Sequence, residues 1–201
     1  HALHSLFAVD HDAMNDKQTR KHADLVFHVL TALGDMPPHS SDIEGSAAYF
    51  QAVASGVASL AKGDRARASQ MLPSIFKMLA DTMLSHKTQV ARAACKAMCS
   101  VAFQTLDESM VRQALQANKG GAAAPLPQVL ATVEGLLHYR YKEHWAGVFE
   151  LLRVVLGSVP RSAGPLVVSL LNTMDGLRRS EELVHGNLLD QAFGAAVTTF
   201  G

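Results

Sequence analysis

The side chains that could do chemistry are ten histidines, two cysteines and a scattered set of carboxylates. A metal site on a helix wants two histidines at i and i+4 with a third ligand close by. His1 and His4 are three apart, and His22 and His28 six apart, as are His138 and His144, so the latter two pairs share no helix face. His11, His39, His86 and His185 fall in expected loops. This spacing predicts no metal site. Cys95 and Cys99 stand at i and i+4 on an expected helix, beside Ala91, Ala94 and Met98. They read as small buried hydrophobes, because the other use, half of a thiolate metal site, lacks partner ligands. No G-x-S-x-G elbow and no glycine-rich phosphate loop with its lysine occurs in the chain. Acidic residues gather at helix starts and turns, where capping accounts for them. The expectation is a non-enzyme with no catalytic residues, cofactor or metal.

What remains is cations set among aromatics. His138-Tyr139-Arg140-Tyr141-Lys142-Glu143-His144-Trp145 holds two of the three tyrosines and the single tryptophan. Such a mixture can track phosphates and stack bases. The preferred reading is a corner between helices, with Tyr139, Tyr141 and Trp145 packed inward and Arg140 and Lys142 in water. Lys62, Arg65 and Arg67 form a second cluster at another helix boundary. Lys87, Arg92 and Lys96 form a third, with Arg92 and Lys96 one turn apart. Together with Arg140, Lys142 and His144, these are the candidate RNA- or partner-binding residues. In a repeat array, equivalent positions line one surface, so scattered cations can add up to a ridge.

The elements that must position them are helices. Apolar residues recur near a period of 3.6, and few stretches alternate for long enough to make a strand. Residues 1–8 read as the tail of a helix. A helix over 16–33 would turn Leu25, Val26, Val29, Leu30 and Leu33 inward. One over 43–61, capped by Asp42 or Ser41, would bury Ala47, Phe50, Val53, Ala54, Val57 and Leu60. A third over 64–84 would bury Ile75, Phe76, Met78, Leu79 and Met83, and Pro73 must kink or restart it. Further helices are expected over 88–103, 107–117, 126–139, 143–157, 162–177 and 188–200. The Lys119-Gly120-Gly121-Ala122-Ala123-Ala124-Pro125 stretch predicts a flexible linker at 118–126, between helix groups 1–117 and 127–201.

Composition agrees. Ala and Leu, the best helix formers, dominate. With 201 residues the chain can bury a core without staples. An apolar fraction of 48% against 18% charged excludes disorder throughout. Lys+Arg and Asp+Glu are both 18, so the net charge is zero, which argues against a self-contained nucleic-acid module or a polybasic membrane binder. The two cysteines suit a reducing compartment. No run approaches the roughly 18 apolar residues of a membrane span. The chain opens on His1 rather than Met and reads as an excised internal piece of a longer protein.

Leu72-Pro73, then a short turn, Val90-Ala91-Arg92-Ala93-Ala94 and Ala97-Met98, resembles a HEAT repeat, which runs about 40 residues. The fold expected is therefore all-α, an α-solenoid of HEAT/armadillo-like antiparallel helix pairs, with 1–201 one segment of a longer array. Several further blocks carry a second resemblance. They are Ala2-Leu3-His4-Ser5-Leu6-Phe7; Leu72-Pro73 with Ser85-His86 and Gln89-Val90; and Val133-Glu134-Gly135-Leu136 with Tyr139, Tyr141, Trp145, Leu151 and Leu152. The most specific is Leu189-Asp190-Gln191-Ala192-Phe193-Gly194-Ala195-Ala196-Val197-Thr198-Thr199-Phe200-Gly201. These blocks resemble the ribosomal RNA-processing protein twelve family of nucleolar HEAT-repeat proteins, from whose residues Phe193 and Phe200 depart. The likeness is weak over 34–45 and 106–127.

This resemblance implies a scaffold or adaptor in small-subunit precursor particles, pre-ribosomal RNA maturation and nuclear export. It implies a nucleolar and nuclear location. The implied partners are pre-ribosomal proteins and assembly factors, with pre-ribosomal RNA and the nuclear transport machinery as further candidates, and no membrane. The alternative is a karyopherin-like adaptor that holds peptides or proteins in grooves between helices.

Overall fold

The computed structural model describes residues 6–9, 14–39, 42–117 and 124–201. Among these residues the regular structure is entirely helical: α1 (Asp16–Gly34), α2 (Ile43–Gly63), α3 (Arg65–Thr82), α4 (Thr88–Thr105), α5 (Glu108–Ala117), α6 (Pro125–Gly135), α7 (Trp145–Ser158), α8 (Gly164–Arg178) and α9 (Gly186–Phe200). Short 3-10 turns at Tyr139–His144 and Arg161–Ala163 lead into α7 and α8.

Local chemistry sets the boundaries. Asn15 caps α1 by accepting from Gln18 N–H, and the Gln18 side chain accepts from Asn15 N–H in return, a closed capping box. Asp42 caps α2 through Gly45 N–H at 2.8 Å, and Asp64 caps α3 through Arg67 N–H. Asp107 closes the start of α5 by accepting from Met110 N–H. Pro165 sits in the first turn of α8, where its missing N–H costs nothing. Pro73 neither ends nor restarts α3 but lies inside it, depriving the Ser69 carbonyl of its donor.

The helices stack in two layers. In one, α2 packs on α4, α4 on α7 and α7 on α9; in the other, α3 packs on α6 and α6 on α8. Within pairs, α1 packs on α2, α3 on α4 and α8 on α9, joined by short turns, so partners run antiparallel. α5 is an extra short helix between pairs, set against α6 and the 161–163 turn. This is the all-α solenoid of HEAT-type helix pairs. One continuous core threads it, from Val26, Val57 and Phe76 through Met98 and Val101 to Trp145, Phe149 and Leu189. The carboxylate of Glu134 on α6 also accepts from Ser169 and Thr173 hydroxyls on α8.

Several expectations change. Leu25 is 50% exposed, because His22, Ala23, Val26 and Leu30 already fill the inner stripe of α1. Ala47 faces solvent, and its place is taken by Ser46 and Tyr49, whose hydroxyl donates to the Leu33 carbonyl at 2.9 Å. The helix expected over 126–139 ends at Gly135, and the next begins at Trp145 rather than 143, because the intervening residues wind as a 3-10 turn. Residues 1–5 and 118–123, with most of the expected linker, lie outside the described residues, as does Ser41, the other candidate cap. Ala124, at the end of that linker, precedes α6, while Pro125 and Leu126 form its first turn.

Candidate functional site

The two-layer plan sorts the turns onto two edges. Turns that close a helix pair (residues 35–39, 83–87, 136–144 and 179–185) lie on one edge. Turns that join one pair to the next lie on the other, a helix length away, roughly 30 Å for the 21 residues of α2.

The pair-closing edge gathers most of the candidate cations. The 3-10 turn Tyr139–His144 packs against α4. A small cleft there is lined by Thr88, Arg92 and Cys95 of α4 together with Glu143, His144 and Gly147. His86 and Lys87 continue the edge toward Pro37 and Pro38 of the preceding turn, with which they share a groove. Arg140 Cζ lies 4.8 Å from the centre of the Tyr141 ring, and Lys142 Nζ lies 4.8 Å from that of Tyr139. Tyr141 and Trp145 are buried, as a helix corner requires, but Tyr139 is 57% exposed. The corner therefore turns one aromatic outward, because the 3-10 winding sets Tyr139 and Tyr141 on different sides. Lys96, a turn beyond Arg92, is exposed on α4. His39, His86, His138, His144 and His185 also fall in these turns, leaving only His22 and His28 of the described histidines elsewhere.

The opposite edge holds Lys62, Arg65 and Arg67, and there the arginines are engaged. Arg65 pairs with Asp107 of the next turn. Arg67 pairs with Asp24 at 2.5 Å and Asp64 at 3.2 Å and lies 5.4 Å over the Phe27 ring. Its hydrogen bond to Asp24 leads the causes that raise its pKa. Burial works to raise the Asp107 pKa, but the Ser109 hydroxyl, the Met110 N–H and Arg65 outweigh it and hold the carboxyl below the ordinary range. Lys62 is exposed at the end of α2. The structure thus joins Arg140, Lys142, His144, Lys87 and Arg92 and separates them from Lys62, Arg65 and Arg67.

A second feature is an apolar cleft of about 490 Å³ lined by Pro37, Pro38, Tyr49, Phe50, Met78 and Val90, among others. It shares Tyr49 and Met78 with a further depression of about 390 Å³ between α1 and α3. Sequence reasoning did not find this cleft, which forms between helices far apart in sequence. Among the described residues no group of three His, Cys, Asp or Glu is placed to hold a metal ion. No single described helix is long and apolar enough to cross a membrane.

Antiparallel pairs and layered stacking define a HEAT-type α-solenoid. Residues 84–201 match the model of the family described as Ribosomal RNA-processing protein 12, HEAT repeats, and the chain belongs to that family. It is similar to the RRP12-like protein of Homo sapiens, 27% identical over 180 residues, which cover 89% of this chain and 14% of that relative. It is also similar to the RRP12-like protein of Gallus gallus, 25% identical over 205 residues, covering 100% of this chain and 15% of that one. The chain therefore spans about 14–15% of the length of these curated relatives.

Proposed function

We propose that the chain is a non-catalytic scaffold segment in ribosome biogenesis, presenting the pair-closing edge of its solenoid to pre-ribosomal RNA and to proteins bound on it. The reading extends to small-subunit precursor assembly, pre-ribosomal RNA maturation and export of the precursor, in the nucleolus and nucleus. The observation that carries it is the run of Lys87, Arg92, Arg140, Lys142 and His144 along one edge, with Tyr139 exposed among them. Family membership supplies the ribosomal context. Guanidinium and ammonium groups would neutralise phosphates, while Tyr139 offers a ring face on which a base stacks. The net charge of zero is compatible with this, because on the far edge Arg65 and Arg67 are tied to Asp107, Asp24 and Asp64 and so are withdrawn from binding.

The test is the affinity of the chain for single-stranded RNA against salt concentration. Reversing Arg140 and Lys142 to glutamate should weaken binding and flatten the log–log salt slope by about 0.7 for each phosphate no longer neutralised. An unchanged affinity and slope would remove RNA from the role of this edge. The transport-adaptor reading is favoured by the cleft around Tyr49 and Met78. It predicts that the chain binds apolar peptides, with no effect of the same charge reversal, and no binding at millimolar peptide would exclude it.

A further inference from the structure

In their layer α3 packs on α6 and α6 on α8, but among the described residues no comparable packing joins α1, the preceding helix of that layer, to α3. Arg67 of α3 closes the far end of this gap, paired with Asp24 and lying over Phe27 of α1. From there the gap opens toward the pair-closing edge. Its α3 wall runs from Gln70 through Met78 to Thr82, about 18 Å along the helix. Tyr49, Phe50 and Val53 of α2 form its floor. The two depressions of about 490 and 390 Å³, which share Tyr49 and Met78, are therefore one groove.

Hydroxyls along the groove are already used. Tyr49 donates to the Leu33 carbonyl at 2.9 Å, Thr31 to that of Phe27 at 2.9 Å and Thr82 to that of Met78 at 2.8 Å. The walls thus present ring and methyl surface, and they suit apolar side chains, because a buried polar group without a partner is costly. The mouth at the pair-closing edge differs. His86 and Lys87 line it, and both are exposed. Arg65, Arg67, Arg153, Arg178 and Arg179 each hold a carboxylate, whereas Lys87 pairs with none among the described residues. α4 begins here without a side-chain cap, so the positive end of its backbone adds to the same field. Asp81, the acid of the lining, stands on the α3 rim and not at the start of α4.

We propose that this groove binds a protein segment that is apolar over about three helical turns and carries carboxylates at the end that meets Lys87. The proposal rests on the cleft-binding reading above and adds the chemistry of the occupant. Three turns of helix match the length of the groove and take the place that a neighbouring helix fills elsewhere in the layer. Apolar residues at i, i+3, i+4 and i+7 would lie on Tyr49, Phe50 and Met78. RNA does not fit here, since phosphates gain nothing from an apolar floor. The carboxylates of the segment stay at Lys87, which leaves Arg140, Lys142 and Tyr139 to RNA.

The experiment titrates the folded chain with two fluorescein-labelled synthetic helical peptides and reads anisotropy. Both share a three-turn apolar face. One is flanked at both ends by glutamates and the other by lysines, so either direction of binding is covered. The glutamate peptide should bind about five- to tenfold more tightly at low salt, and added salt should shrink the preference. Lys87→Glu should abolish the preference. Leu84, 42% exposed, lines the mouth, and Leu84→Ala should weaken both peptides about three- to tenfold. Both positions are exposed, so helix content by circular dichroism should stay at the wild-type value. Equal affinity for the two peptides, a preference for lysines, or a preference that Lys87→Glu leaves intact would overturn the proposal and leave the cleft reading standing. No binding of either peptide at millimolar concentration would end both.

Discussion

Asp107 shows how much a single side chain is asked to do. It caps α5 through Met110 N–H, accepts from Ser109 and pairs with Arg65 across two inter-pair turns. Its carboxyl is held below the ordinary range, so its stabilising effect is complete above the unfolded value, about 3.9, and is lost as pH falls through the lower folded value. Asp107→Asn keeps the capping geometry, since asparagine is a good N-cap, and removes the charge. The variant should have a lower urea midpoint than the parent at pH 7. The gap should close at a pH below the lowered folded value, where the parent carboxyl is protonated too. A gap of the same size at both pH values would mean that the Arg65 pair adds nothing. The cap was legible from the acidic start expected for this helix. The Arg65 partner was not, because 42 residues separate the two and only the stacking of pairs brings them together.

At the scale of elements, spacing identified the helices because each buries one stripe. α4 buries Val90, Ala94, Ala97, Met98, Val101 and Ala102 along one face, at the spacing a period near 3.6 requires. The period fails where two helices compete for one interior. On α1 the stripe turns toward Ala23, which packs beside Gly63 and leaves Leu25 outside. It also fails at the 138–144 corner, where 3-10 winding replaces a helix end and sends Tyr139 outward. Glycine positions test the packing. A Cβ on Gly56 of α2 would lie 2.7 Å from Leu30 Cδ2 and 3.1 Å from Phe7 Cζ, both buried. A Cβ on Gly157 of α7 would meet nothing within 4 Å. Gly157→Ala should therefore stabilise the chain by about 0.5–1 kcal/mol, the ordinary helix gain. Gly56→Ala should destabilise it, overpacking of about 1–3 kcal/mol exceeding that gain. Equal effects in denaturant titrations would show that α1 and α2 are not packed as described.

For the whole molecule, the arrangement of turns matters more than any single motif. The sequence shows three cationic clusters of similar weight, and nothing in their spacing ranks them. Alternation of helix direction does: it puts Lys87, Arg92, Arg140, Lys142 and His144 on one edge and Lys62, Arg65 and Arg67 on the other, where the arginines are held by Asp24, Asp64 and Asp107. The solenoid turns clusters far apart in sequence into a surface, and a net charge of zero into two edges of different character. The most direct test of the scaffold account is to map RNA cross-links on this chain within purified pre-ribosomal particles. The account predicts cross-linked peptides from residues 86–96 and 138–144, with Tyr139 among the modified positions. Cross-links confined to residues 62–67, or none from a particle that contains the chain, would contradict it.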